Sequence, residues 1–187
     1  AKQTQMKKHL FLMGMKHSGK TSIGEILARD LHMDFYDTDR LIEKLYRERR
    51  AAEPGDGNTH YLESCREIYK TYGKTYFQSL ETEVTKRFTM RAEELHASVL
   101  ALGGGIIENK TAMGYLREKG VLIYLKEDAG TLFKRIEAGG IPPFLSPENP
   151  FESFLELYER RTALYHDQAD ITVSVHGKTQ EGAARLI

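Results

Sequence analysis

Residues Gly14-Met15-Lys16-His17-Ser18-Gly19-Lys20-Thr21 satisfy the pattern G-x-x-x-x-G-K-[ST], and their setting decides what the N-terminal part of the chain becomes. The apolar run Leu10-Phe11-Leu12-Met13 precedes them, and Ile23, Ile26 and Leu27 follow at helical spacing. The motif therefore joins a strand to a helix. In that setting the loop N–H groups and the helix N-terminus converge on one point and form an anion cradle. Lys20 then reaches the terminal phosphates of a nucleotide, and the Thr21 hydroxyl binds Mg²⁺. Gly14, Lys16, His17, Ser18, Gly19 and Ser22 complete the expected nucleotide contact. At average residue frequencies a chance match in a chain of 187 residues has a probability of about 1%. The strand–helix context lowers it further.

A chain of this length is most simply one domain, expected over residues 6–187, with a single sizeable core. Lys plus Arg and Asp plus Glu both number 27, a net charge of zero. That balance gives no support to nucleic-acid or membrane-surface binding. The lone Cys65 excludes an intrachain disulfide and a Cys-rich metal site, and is expected to be a packing residue of a reducing compartment. No apolar stretch approaches the roughly 20 residues needed to span a bilayer, and no secretory signal opens the chain. A cytoplasmic monomer is the expectation, with Met6 as its start.

Strand-like runs occur at Leu10–Met13, Phe35–Tyr36, Val99–Leu102, Val121–Leu125 and Ile171–Val175. Helical spacing fills much of the interval between them, at Ile23–Leu31, Leu41–Tyr46, Tyr76–Phe88, Thr131–Ile136 and Phe151–Tyr165. Thr38 or Asp39 is expected to cap the second helix and Asp128 the one after Leu125. This alternation predicts a three-layer α/β fold, a mostly parallel five-stranded sheet with helices on both faces. Residues 51–60 read as an exposed loop, and the Pro-rich stretch 139–150 as a lid between two helices.

Two further groups follow predicted strands, at the sheet end where ligands of such folds sit. Asp37 and Asp39 in Tyr36-Asp37-Thr38-Asp39 can divide labour, one toward metal and phosphates, the other toward an acceptor. Helix capping is the plain alternative. Gly103-Gly104-Gly105 permits close approach of the main chain to a ligand, with a tight turn as the alternative.

The order of phosphate loop, Asp-Thr-Asp, Leu-Gly-Gly-Gly and Pro-containing lid resembles the shikimate kinase family over nearly the whole chain. That resemblance implies a phosphate-loop kinase fold with substrate helices near 38–92 and a lid near 139–153. It further implies transfer of the terminal phosphoryl group of ATP to a small-molecule hydroxyl, with shikimate the expected acceptor. By the same resemblance Lys20 and Thr21 hold phosphate and Mg²⁺, and Asp37 holds the metal through water. Asp39 is the base, Gly103, Gly104 and Gly105 line the acceptor, Arg161 grips its carboxylate, and Arg135 lies by the adenine.

The departures bear on the acceptor. The family's substrate helix carries Phe-Arg-x-x-Glu, whereas Phe77-Gln78-Ser79-Leu80-Glu81 stands here. A neutral amide at Gln78 in place of a charge-assisted clasp weakens carboxylate binding by about 1.5–3 kcal/mol, or about one to two orders of magnitude. The family's lid arginine is replaced by Ile141, and no Lys or Arg lies between Arg135 and Arg160. His17 stands where the family commonly has Gly. Three functions follow: a shikimate kinase, a kinase for another polyol or hydroxy acid, and a non-catalytic ATP-binding relative.

Overall fold

The structure, a computed structural model, describes residues 7–53 and 64–187. Five strands, β1 (His9–Met13), β2 (Asp34–Asp37), β3 (Ser98–Ala101), β4 (Gly120–Lys126) and β5 (Ile171–Ser174), form one sheet in the order β2-β3-β1-β4-β5. Every pairing is parallel. The expected strands are all present, within a residue or two at their ends.

Burial explains the near-continuous apolar character of the central strands. Phe11 and Met13 of β1, with Leu122 and Tyr124 of β4, face one core. Leu12, Ile123 and Leu125 face the other. Strands covered on both faces cannot alternate apolar with polar residues. Helix α1 (Lys20–Asp30) packs Ile23 and Leu27 on the second face, together with Ala183 and Ala184 of the C-terminal α7 (Gln180–Ala184). The first face is covered by α4 (Lys110–Lys119), α5 (Ala129–Gly139) and α6 (Pro150–Gln168), which contribute Leu116, Phe133 and Phe154. Helices α2 (Thr38–Ala52) and α3 (Cys65–Met90) enclose a third, smaller core around Ile42, Leu45, Ile68, Leu80 and Val84.

Asp128 caps α5 by accepting from the Thr131 N–H, as expected. The cap of α2 differs from expectation. Neither Thr38 nor Asp39 fills it: Asp37 does, its carboxylate accepting from the Asp39 N–H at 2.8 Å. Helix α2 also runs on through Ala52, so the expected loop at 51–60 starts later than its composition suggests, and its residues 54–60 lie outside the described residues. The irregular stretch between α5 and α6 covers residues 140–149, so the C-terminal part of the expected lid is the first turn of α6, with Pro150 at its start.

Helix α3 is two helical arms joined at Gly73, whose φ of 81° and ψ of −178° lie outside helical space. The first arm carries Cys65, Arg66 and Tyr69, and the second carries Lys74, Phe77, Gln78 and Glu81. The bend brings both sets to the carboxyl end of the sheet.

Candidate active site

The loop between β1 and α1 folds as its sequence requires. Gly14 has φ 154°, and a Cβ there would stand 2.7 Å from the Leu125 carbonyl oxygen. Gly19 has φ 91°. His17 adopts φ 70°, a left-handed conformation that His tolerates better than bulkier side chains. The Ser18 N–H donates to the Met15 carbonyl at 3.1 Å and closes the turn. The Ser18 hydroxyl is buried without a protein partner.

Lys20 is 8% exposed and donates to the carbonyls of Gly14 at 2.7 Å and Met15 at 2.8 Å. Burial lowers its pKa to about 8, against the pull of Asp39 and Asp37. Holding a cation this deep is costly unless anions arrive to pair with it. Thr21 Oγ1 donates to Asp37 Oδ2 at 2.8 Å, while Asp37 Oδ1 accepts from the Asp39 N–H. A hydroxyl and a carboxylate in contact at the loop mouth are hard oxygen donors of the kind that hold Mg²⁺ beside phosphate oxygens. Among the described residues no cluster of three or more His, Cys, Asp or Glu side chains forms an all-protein metal cage. A metal there would therefore take its remaining ligands from phosphate and water.

Asp39 projects toward the glycine loop that follows β3. A Cβ on Gly103 would lie 2.7 Å from Asp39 Oδ1, so only glycine leaves that carboxylate its place. Burial and the neighbouring Asp37 raise the Asp39 pKa to about 6, while Lys20 and Lys16 oppose the rise. The Gly103 N–H donates to Thr38 Oγ1 at 2.7 Å, and Tyr165, stacked on Tyr124, donates its hydroxyl to the Gly104 carbonyl at 2.6 Å. Gly104 lets the Lys16 backbone approach and Gly105 makes room for the Arg161 guanidinium. The glycine loop is thus a turn pinned by Thr38 and Tyr165.

These groups surround a cavity of about 280 Å³. Asp39, Gly103, Gly104, Gly105, Gln78 and Arg161, all expected at the acceptor, line it together with Lys16. Arg161 donates to Glu108 at 3.1 Å and Arg160 to the other oxygen of the same carboxylate at 2.6 Å. Both cations of α6 are thereby committed to one acid. Buried Glu81, 3% exposed, accepts from Asn109 Nδ2 at 3.4 Å, and burial pushes its pKa up to about 7. Cys65 donates its thiol to the Asp39 carbonyl at 3.3 Å, and burial with Asp39 and Glu43 nearby pushes its pKa far up. It is a packing residue, as expected.

Arg135 stands elsewhere. Its guanidinium donates to the His17 carbonyl at 2.7 Å and pairs with Glu127 at 3.5 Å, bracing the outer rim of the phosphate loop. His17 lines a second cavity between that loop and the lid, and partial burial with Lys16, Lys20 and Arg135 nearby lowers its pKa. Gly19, Thr21 and Ser22 sit at the start of α1, away from the acceptor cavity. Arg66, Tyr69, Lys74 and Glu108 line the acceptor cavity and were not expected there. Each stands in a stretch without a motif, and only the fold brings it in.

Comparison with known proteins agrees with this geometry. The sequence profile of the family described as shikimate kinase matches residues 16–53 and 58–187. A shikimate kinase of Caldanaerobacter subterraneus subsp. tengcongensis is 33% identical over 180 residues, spanning 96% of this chain and 94% of the relative. One of Thermodesulfovibrio yellowstonii is 31% identical over 180 residues, spanning 96% and 92%. Among solved structures, the shikimate kinase from Acinetobacter baumannii in complex with shikimate superposes with a TM-score of 0.77 at 27% identity, covering 95% of this chain and 89% of that one. With the phosphate loop, the Asp37–Asp39 pair and the glycine loop meeting at one end of a parallel sheet, the chain belongs to the shikimate kinase family.

Proposed function

We propose that the protein transfers the terminal phosphoryl group of ATP to a hydroxyl of shikimate. The observation that carries this reading is the convergence of Asp39, Gln78, Arg161 and the glycine loop on one cavity that abuts Lys16 of the phosphate loop. The loop N–H groups and Lys20 bind the phosphates, and Lys20 leaves its two loop carbonyls to do so. Thr21 and Asp37 hold Mg²⁺, which when bound neutralises phosphate charge and orients the chain of phosphates. Asp39 takes the proton of the attacking hydroxyl, a task suited to a carboxyl whose pKa is raised toward neutrality. Arg161 and the Gln78 amide orient the acceptor carboxylate. Arg135 braces the phosphate loop from outside and reaches the adenine side of the nucleotide.

A second reading, a kinase for another polyol or hydroxy acid, draws on the pocket's electrostatics. Gln78 is neutral, and Glu108 engages both Arg160 and Arg161. A coupled ADP-release assay with shikimate, quinate, gluconate and no acceptor tests both. Brisk Mg²⁺-dependent turnover on shikimate upholds the first reading, and preference for a less acidic polyol upholds the second. ATP binding with no turnover on any acceptor would leave a nucleotide-binding relative without kinase activity.

A further inference from the structure

Phosphoryl transfer is accelerated chiefly by cations placed around the migrating group. Yet the lid, residues 140–149, holds no Lys or Arg, and neither does any position between Arg135 and Arg160. Arg160 cannot serve as it stands, since Glu108 holds its Nε at 2.6 Å.

The structure places a different arginine against the lid. Arg66, on the first arm of α3, donates from Nη2 to the Ile141 carbonyl at 2.8 Å and from Nη1 to the Gly139 carbonyl at 3.5 Å. Gly140 between those two carbonyls has φ 86°, a left-handed conformation that suits glycine and turns the lid backbone there. Arg66 also lines both cavities, the one holding Asp39 and the one between the phosphate loop and the lid. Lys16, Pro142, Phe144, Leu157 and Arg161 are the others common to both. On the kinase reading, the boundary between these two cavities is where a phosphoryl group would pass from nucleotide to acceptor. A guanidinium carries five N–H groups, so two bonds to lid carbonyls leave donors for phosphate oxygens.

We propose that Arg66 supplies the lid's missing cation: its guanidinium, seated on the carbonyls of Gly139 and Ile141, contacts the γ-phosphate and stabilises its transfer. The inference rests on the kinase reading above. In the step, a bond forms between the acceptor oxygen and the γ-phosphorus. The bond from that phosphorus to the β–γ bridging oxygen breaks, ADP keeps the electron pair, and Asp39 receives the acceptor proton. Arg66 gains and loses nothing covalently. Its position on a different element from the lid means that lid closure and α3 must agree before the cation reaches the phosphate.

Calorimetry with Mg²⁺ and either ADP or the non-hydrolysable analogue AMP-PNP tests this without any acceptor. Wild type is expected to prefer AMP-PNP. Arg66→Ala is expected to weaken AMP-PNP binding about tenfold to a hundredfold while ADP affinity stays within about twofold. Arg66→Gln keeps a donor for the lid carbonyls without the charge, and it too is expected to lose the preference. With a working acceptor, kcat falls about 10²–10³-fold in both variants. Equal loss of ADP and AMP-PNP affinity, or restoration by Arg66→Gln, would make Arg66 a mere lid anchor and overturn the proposal. An unchanged preference in Arg66→Ala overturns it as well. If wild type binds neither nucleotide, the kinase reading itself fails, a result distinct from the others.

Discussion

Asp39 and Gly103 pack as one unit although 64 positions separate them in sequence numbering (103 minus 39). The carboxylate occupies the space that any larger residue at 103 would fill, at 2.7 Å from an added Cβ. Gly103→Ala should therefore act like damage to Asp39 itself. We expect kcat to fall by about 10²-fold or more, approaching the loss of Asp39→Asn, within the range for a displaced general base. Nucleotide affinity, measured by calorimetry, should not change, since the phosphate loop is untouched. Gln78 offers the converse test. Gln78→Arg adds a charge opposite Arg161 and is expected to lower KM for carboxylate-bearing acceptors about tenfold to a hundredfold. Unchanged kinetics would show that the second arm of α3 does not meet the carboxylate. At this scale the phosphate loop, the Asp37–Asp39 pair and the glycine loop were legible as short spaced motifs, whereas Gln78, Arg135 and Arg161 were expected only through the family resemblance. Arg66 and Glu108 were not legible, because what defines them is the carbonyl or guanidinium they touch across the fold.

At the scale of elements, the bend in α3 shapes the pocket. Helical spacing predicts a helix at Tyr76–Phe88, whereas the helix observed is longer, Cys65–Met90, and Gly73 divides it into two arms. Its φ and ψ belong to a region nearly closed to residues with a Cβ. An added Cβ would meet nothing within 4 Å, so Gly73→Ala isolates the backbone cost from any clash. That substitution is expected to destabilise the protein by about 1–3 kcal/mol, seen as a lower denaturation midpoint. If the chain straightens instead, Gln78 and Glu81 rotate away from Cys65 and Arg66, and acceptor KM rises while ADP affinity holds. A variant as stable and as active as wild type would show that the bend is incidental. The predicted helix begins only after Gly73, and an isolated Gly beside a helical pattern reads equally as tolerated residue or break. Only the packing of Ile68 and Leu80 into the same small core as Ile42 and Tyr46 selects the break.

At the scale of the whole molecule, the strand positions followed from apolar runs, but their order in the sheet did not, because parallel register is set by long crossover contacts rather than by local pattern. That order brings α3 and the start of α4 together at Glu81 and Asn109, and it creates a global dependence on pH. Asn109 caps α4 by accepting from the Ala112 N–H and donates to the Gln78 carbonyl, so its hold on Glu81 is fixed by its bonds to both α3 and α4. Glu81 is surrounded by Asp39 and Glu108 as well as Arg161, and burial dominates, raising its pKa from 4.5 to about 7. The folded state thus binds this proton more tightly than the unfolded chain. Its contribution to stability is fully present below about pH 4.5, declines as pH rises, and is lost above about pH 7. Glu81→Gln removes the titration while keeping the shape and the partner Asn109. We expect the variant to melt about 2–8 °C above wild type at pH 8, for about 1–2 kcal/mol, and to match it within a degree or two at pH 5. Scanning calorimetry at the two pH values reads the difference. A constant offset at both would assign the effect to packing. A wild type stabilised by rising pH would mean that Glu81 is held as a paired anion by Arg161 rather than as a buried acid.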